Sequence, residues 1–329
     1  MFSSYPSIEN KADKVSGDQE GDIWAATPKY HGTNTSVWVP TDPSLELAYG
    51  RRNALLKEGE AHYGYETLLP SLADWSRLRD AFPHRDDIEA LVVYGELYGG
   101  NYPHPEVEKT SAKAVQPQVY YSPHLRFVAY DLCLKLNDGS KAFVDLYDAL
   151  FIFRHCGIPH VTLPFRGPRK DVIEWAKLHA TDNPLSWMPP YHSDSSLPPL
   201  EGNMGEGFVV RPVVERLDRL GGRCMLKVKS PKFAEVKNVV KKAPAPLGER
   251  PGSETVATYL NDARCMAVCS KFVESEVGIK NMKVLGSALV EDALKDVPSD
   301  DPVHDYKTTE AKTFRTSGFK IMSSYLRSL

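Results

Sequence analysis

Cysteine is scarce in this sequence, and its spacing is unpaired. Cys133, Cys156, Cys224, Cys265 and Cys269 are odd in number and scattered, with no CxxC among them. That argues against a secreted disulfide framework and against a structural zinc site. Cys265 and Cys269 lie four apart on an expected helix and read as core or face residues. No window approaches 18 uninterrupted apolar residues, so no membrane span is expected. The opening "MFSSYPSIENKADKVSGDQEGD" has no basic flank leading into an apolar run, so no signal peptide is expected. These absences lead to an expected intracellular, cytoplasmic setting. An excess of one charge is also missing. The formal net charge is −3, which excludes a uniformly basic nucleic-acid coat but not a local basic patch. There is no internal repeat and no low-complexity tract. What remains is ordinary globular material, 42 % apolar and 25 % charged. At 329 residues it is long enough for a large domain plus a smaller one.

Short period-2 apolar runs recur between about 23 and 230: "TSVWV", "LELAYG", "LVVYGELYG", "LRFVAYDLCL", "GFVVRP" and "CMLKVK". These read as strands. Amphipathic stretches at "SLADWSRLRDAF", "LYDALFIFRHCGI" and "RKDVIEWAKLHA" read as helices. Strands and helices do not alternate regularly, so an antiparallel α+β fold is expected rather than a parallel doubly wound one. The Pro- and Ser-rich stretch 183–207 reads as a long surface loop. "KKAPAPLGERPGS" (241–253) reads as a linker, with Ser253 as N-cap of the next helix. Beyond it, helices are expected over about 254–274, 280–297 and 307–328. The domains are therefore taken as 1–243 and 244–329.

Lys29 stands at the start of "KYHGTNTSVWV", two residues before His31-Gly32. A free lysine has a pKa of about 10.4, so only about one in 2,500 is neutral at pH 7. A nucleophilic Lys29 would need burial or neighbouring cations. Lys227 and Lys229, two apart, point to one face of a strand. There they could flank a bound anion such as a triphosphate, or guard a solvated sheet edge. Glu96, Asp131 and Glu206 lie at or near strand ends, where acids can hold a ribose hydroxyl or a Mg²⁺ ion, or simply pair at a turn. Arg52, next to Arg51, offers a fork for phosphate, or an exposed turn charge. Tyr130 and Tyr63 are rings that can stack on a purine or pack in the core. Residues 211–250 carry 11 Lys/Arg against 4 Asp/Glu. That asymmetry fits a polyanion-binding face, and equally an exposed basic helix from "SPKFAEVKNVVKK".

Their order along the chain adds to this. Lys29, His31, Gly32 and Asn34 form K-x-H-G-x-N. Arg52, Gly95-Glu96, Tyr130-Asp131, Glu206-Gly207 and Lys227-x-Lys229 follow. The series resembles motifs I, Ia, III, IIIa, IV and V of the covalent nucleotidyltransferases. His31, where DNA ligases and capping enzymes usually carry aspartate, resembles the phage RNA ligase 2 family, which includes the trypanosome RNA-editing ligases. "MFSSYPSIEN" and "HYGYETLL" resemble further segments of that family. Three positions depart from the pattern: Pro28 replaces an acid, Tyr130 a phenylalanine and Arg211 a lysine.

The resemblance implies an antiparallel adenylyltransferase domain followed by a small helical C-terminal domain. It implies an ATP-dependent RNA ligase that uses Mg²⁺, with Mn²⁺ as the alternative ion. Lys29 would attack the α-phosphate of ATP and form lysyl-AMP. The AMP would pass to a 5′-phosphate, and a 3′-OH would displace it. Within that scheme Lys227 and Lys229 bind phosphate and lower the pKa of Lys29. His31, Gly32, Asn34 and Arg52 help hold the nucleotide or phosphate. Glu96 contacts the ribose, Tyr130 stacks on adenine, and Glu206 and Asp131 serve the metal. The implied partner is RNA, at nicks in duplex or bridged strands. A monomer and no membrane are expected. The alternatives are a DNA ligase or capping-type enzyme, or a binding protein that has lost catalysis.

Overall fold

The computed structural model describes residues 2, 4–83, 85–188, 197–218, 221–234, 251–272 and 274–329. The chain divides into two compact units, Met1–Pro231 and Lys232–Leu329. The expected boundary at 243/244, the basic stretch after 234 and most of the linker lie outside the described residues.

The first unit holds two antiparallel sheets. One has the order β10 (Leu226–Lys229), β9 (Gly207–Pro212), β1 (Ile23–Lys29) and β8 (Phe165–Pro168). The other has the order β4 (Ala54–Leu55), β3 (Ala48–Arg51), β2 (Thr33–Pro40), β5 (Ile88–Gly99), β6 (Leu125–Leu136) and β7 (Lys141–Phe143). All six runs read as strands belong to these sheets. The stretch around Lys29 is two strands rather than one: Lys29 ends β1, and β2 begins at Thr33. The chain therefore changes sheet at Tyr30-His31-Gly32, and both sheets contribute residues around that corner. Gly32 is required there. A Cβ on it would lie 2.1 Å from the Leu97 carbonyl oxygen, so only glycine lets the turn press against β5.

Among the described residues, four α-helices accompany the sheets: α1 (Tyr65–Leu72), α2 (Arg77–Asp80), α3 (Leu146–His155) and α4 (Arg169–Asp182). The spacing of Val172, Ala176 and Ala180 puts one turn-by-turn stripe on α4. That stripe is buried with Trp24 and Ala26 of β1 and Phe208 and Val210 of β9. Each large side chain there contributes about 1.5–3 kcal/mol of hydrophobic burial. At the head of α4, Arg169 donates to the carbonyls of Ala12 and Val15, each at 2.8 Å, and to Asp18 at 2.8 Å. This ties the N-terminal segment to the sheet. "SLADWSRLRDAF" differs from its single expected helix, because α1 ends at Leu72 and α2 is one short turn.

The second unit is helical: α5 (Ser253–Tyr259), α6 (Asp262–Cys269), α7 (Met282–Leu294) and α8 (Thr309–Ser328). The expected helix over 254–274 is broken at Leu260-Asn261, where the Asn261 side chain accepts from the Arg264 amide and starts α6. Ser253 is the first helical residue, and Gly252 takes the N-cap in a left-handed conformation. Cys265 and Cys269 are buried, as their spacing suggests. Arg264, 1 % exposed, is held in this core by Asp292 (2.8 Å) and Asp296 (2.7 Å).

Candidate active site

Strand register assembles the site. Lys29 pairs with Gly207, and Gly207 pairs with Lys229, so the two lysines stand on one row of three strands. Glu206 immediately precedes that row. Lys29 Nζ donates to Glu206 Oε2 at 2.7 Å, and Lys229 Nζ lies 3.0 Å from Oε1. His31 Nδ1 stands 3.5 Å from Oε2. Burial alone would raise the Glu206 pKa, but the charges of Lys29 and Lys229 hold it well below the usual carboxylate range. Burial depresses the pKa of His31 despite the adjacent Glu206. Side-chain exposure decides which lysine meets a ligand: Glu206 is 5 % exposed, Lys229 11 % and Lys29 22 %.

Gly207 carries the row. Its φ is +144°, and a Cβ there would lie 2.1 Å from the Val228 carbonyl oxygen. Gly207→Ala is expected to cost about 1–3 kcal/mol of backbone strain and overpacking. All five tryptophans belong to the first unit, so urea unfolding followed by tryptophan fluorescence measures this. An unchanged midpoint would mean that the strands part without cost.

Lys227 and Lys229 share the half-exposed face of β10, as alternation predicts. β10 is not the solvated edge considered above. The N-terminal segment covers it through the Glu9–Leu226 bridge and a 2.8 Å bond from the Lys227 amide to the Glu9 carbonyl.

The second sheet supplies the other wall. Glu96 on β5 stands opposite Asn34 on β2 and accepts from the Gly32 amide at 3.1 Å. Burial pushes Glu96 up to about 7, against the pull of Lys29. Asn34 donates from its amide to the Tyr130 hydroxyl. The β5–β6 register skips at this point: Tyr94 faces Asp131 and Gly95 faces Ala129, leaving Tyr130 in a bulge. Bulges re-aim side chains. Here the neighbours Tyr130 and Asp131 both reach Tyr5. The Tyr5 ring lies 5.1 Å from Tyr130, and its hydroxyl donates to Asp131 at 2.7 Å. Of the two arginines, Arg51 pairs with Glu60 at 3.2 Å, while the charge of Arg52 acts on Glu96 and Tyr130. Tyr63 lies by His62, the rings 5.4 Å apart.

Asp131 requires a correction. Expected as a metal ligand, it is 0 % exposed and taken up by protein cations. Arg211 and Arg223 donate to its Oδ2 at 2.8 and 2.6 Å. The same arginines reach Glu215 at 2.8 and 2.6 Å. Burial would raise the Asp131 pKa, but Arg211 and Arg223 hold it low. Arg216 is likewise paired, to Asp22 at 2.8 Å. The described part of the basic 211–250 region is thus partly internal ion pairing rather than a polyanion-binding face.

Sequence reading missed Tyr5, Arg223 and Glu215. It also missed Tyr121, whose hydroxyl accepts from the His31 amide at 2.8 Å. Tyr5 lies within the opening segment already singled out. Nothing local marks Tyr121.

Among the described residues, no three His, Cys, Asp or Glu side chains cluster as a metal cage. The carboxylates at this site are Glu206, held by ammonium groups, and Glu96, held by the Gly32 amide. So few acids suit Mg²⁺ rather than an all-protein cage, since Mg²⁺ keeps several waters and binds through few carboxylates plus substrate phosphates. Among the described residues no helix is long and apolar enough to cross a membrane.

The mitochondrial RNA-editing ligase 2 of Trypanosoma brucei brucei is 28 % identical to this chain over 265 residues, 72 % of this chain and 61 % of that protein. The mitochondrial RNA-editing ligase 1 of the same organism is 24 % identical over 239 residues, 65 % of this chain and 50 % of that protein. The chain thus spans between half and about three fifths of the length of these relatives. Among solved structures, an archaeal ATP-dependent RNA ligase aligns over 99 % of this chain and 66 % of its own, at 14 % identity and a TM-score of 0.45. A Naegleria gruberi RNA ligase with PPi aligns over 70 % of this chain and 57 % of its own, at 13 % identity and a TM-score of 0.44. The family model described as RNA ligase matches residues 22–229, a span that takes in Lys29, Glu96, Glu206 and Lys229. The chain belongs to the RNA ligase family.

Proposed function

We propose that this chain is an ATP-dependent ligase that joins 3′-OH and 5′-phosphate RNA ends, with Lys29 as the nucleophile and nicked or bridged duplex RNA as the substrate. One observation carries the reading: Lys29 and Lys229 converge on the buried Glu206 beside Glu96, and Lys29 is the most exposed of the converging three. The Lys29 nitrogen, once deprotonated, forms a bond to the α-phosphorus of ATP. The bond between that phosphorus and the bridging oxygen breaks, and pyrophosphate leaves. AMP then passes from Lys29 to the RNA 5′-phosphate. The 3′-OH attacks that phosphate, loses its proton and releases AMP. Positioning and charge neutralisation do most of this work.

Within this scheme Lys227 and Lys229 neutralise the phosphates, and Arg52 holds a phosphate or the terminal nucleotide. Glu96 and Asn34 face the sugar and Tyr130 the base. Glu206 would hold the divalent ion, Mg²⁺ or Mn²⁺, which would supply charge neutralisation on the phosphates. Glu206 has both oxygens on ammonium groups. Conversion of the Lys29 ammonium to a phosphoramidate nitrogen, which carries no positive charge, removes one of them and leaves that oxygen open to another cation.

His31 supports RNA as acceptor over the DNA-ligase and capping readings, on the family resemblance. The chain incubated with ATP and Mg²⁺ is expected to gain one covalent AMP by intact-mass spectrometry, mapped by peptide fragmentation to Lys29. A wild type that never labels while still binding RNA overturns the enzyme reading and leaves a binding protein.

A further inference from the structure

By sequence the helical unit is close to neutral, with ten Lys/Arg against eleven Asp/Glu between 254 and 329. The fold sorts these charges. Helix α8 carries Lys312, Arg315, Lys320 and Arg327 against a single acid, Glu310. Its buried stripe includes Ala311, Phe314, Gly318, Met322 and Leu326. On the face beside that stripe, Arg315, Lys320 and Arg327 line an open groove of about 750 Å³. All three are exposed, and among the described residues none pairs with an acid. The hydroxyls of Thr316, Ser323 and Ser324 share the groove, and no carboxylate lines it. Met282 of α7 and Phe319 complete the lining. The Phe319 ring is packed against Gly286, where a Cβ would come within 2.7 Å of it. The groove is therefore shaped by helix packing and not only by mobile surface side chains.

We propose that this groove holds the sugar–phosphate backbone of an RNA strand, with Arg315, Lys320 and Arg327 each meeting a phosphate. The proposal rests on the reading of the chain as an enzyme that acts on RNA. Three cations and three hydroxyl donors without an acid complement a polyanion, and guanidinium forks match phosphate oxygens. Two apolar residues are too few to seat an amphipathic peptide, but they suit the face of a sugar. From Arg315 to Arg327 the helix advances about 18 Å at 1.5 Å per residue. That is about five steps of a stacked strand at roughly 3.4 Å each, enough for three separate phosphate contacts. Such contacts fix register without reading sequence.

The test is binding of the full chain to a labelled nicked RNA duplex by fluorescence anisotropy across a salt series. The triple variant Arg315→Gln/Lys320→Gln/Arg327→Gln is expected to bind at least about tenfold more weakly at low salt. The slope of log K against log[salt] should flatten by about 2–3, at roughly 0.9 per released phosphate contact. Arg315→Lys/Arg327→Lys keeps the charge and should keep the slope. If the triple variant misfolds by circular dichroism, the single glutamine variants decide, each lowering the slope by about one. Unchanged affinity and slope in the folded variants overturn the proposal and leave the groove to a protein partner. Failure of the wild type to take up AMP would sink the ligase reading, while these binding results would still stand or fall on their own.

Discussion

Lys29→Ala is expected to take up no AMP from ATP and Mg²⁺, a loss on the order of 10³-fold or more in adduct formation, since no other side chain substitutes for an activated nucleophile. Lys29 alone combines an amine, a place on the Glu206 row and the largest exposure of that group. Lys29→Arg separates charge from chemistry. A guanidinium keeps the positive charge facing Glu206, but it is never deprotonated in a protein and cannot attack phosphorus. It should therefore still bind ATP and form no adduct. The fold should survive both changes, because Lys229 remains 3.0 Å from Glu206 and leaves it with one cation. The measurement is intact-mass spectrometry beside tryptophan-monitored unfolding. Labelling in Lys29→Ala at the wild-type level would move the nucleophile elsewhere and sink the assignment.

The parts of this site legible in the sequence are those set by strand alternation and close glycine turns. Lys227 and Lys229 lie two apart, so a strand aims both to one face wherever it sits. Glycines stand near Lys29, Glu96 and Glu206 in the motif series, and a Cβ on Gly32, Gly95 or Gly207 would strike a carbonyl oxygen. Four strands were legible by the same alternation, because β2, β5, β6 and β9 run for six to twelve residues. The four-residue β3 and β10 showed only as parts of longer apolar runs. β4 and β7, of two and three residues, are too short for a period, while β8 and the seven-residue β1, "IWAATPK", lack a clean apolar alternation.

What stayed hidden depends on residues far apart in the chain. Nothing in "RR" tells Arg51 from Arg52; the partner Glu60 does. Asp131 looked like a free acid because its partners, Tyr5, Arg211 and Arg223, lie 80 to 126 residues away. The bulge at Tyr130, which lets Tyr130 and its neighbour Asp131 both meet Tyr5, is a property of the pairing with β5 and leaves no local mark. Balanced tail charge hid the one-sided α8 groove, since net charge does not report where a helix puts its cations.

Asp131→Ala is expected to destabilise the first unit by about 3–5 kcal/mol, as for other buried pairs broken from one side. Domains of this kind have only about 5–15 kcal/mol to lose. Removing the carboxylate leaves Arg211, 3 % exposed, and Arg223 with Glu215 as their remaining acid, and leaves the Tyr5 hydroxyl only the weak Met225 sulfur as acceptor. Asp131→Asn keeps the volume and loses the charge. If the ion pair is what matters, it should cost nearly as much as alanine; if packing dominates, it should be close to neutral. Acid gives a third measure. The Asp131 pKa is depressed in the folded state, so its contribution is present above the unfolded value of about 3.9 and is lost as pH falls below it. Wild type should thus lose stability at low pH more steeply than Asp131→Asn. A metal ligand would behave in the opposite way. Its replacement would leave tryptophan-monitored unfolding unchanged without Mg²⁺ and would instead raise the Mg²⁺ concentration needed for AMP uptake. That outcome would return Asp131 to the metal and make the two arginines its bystanders.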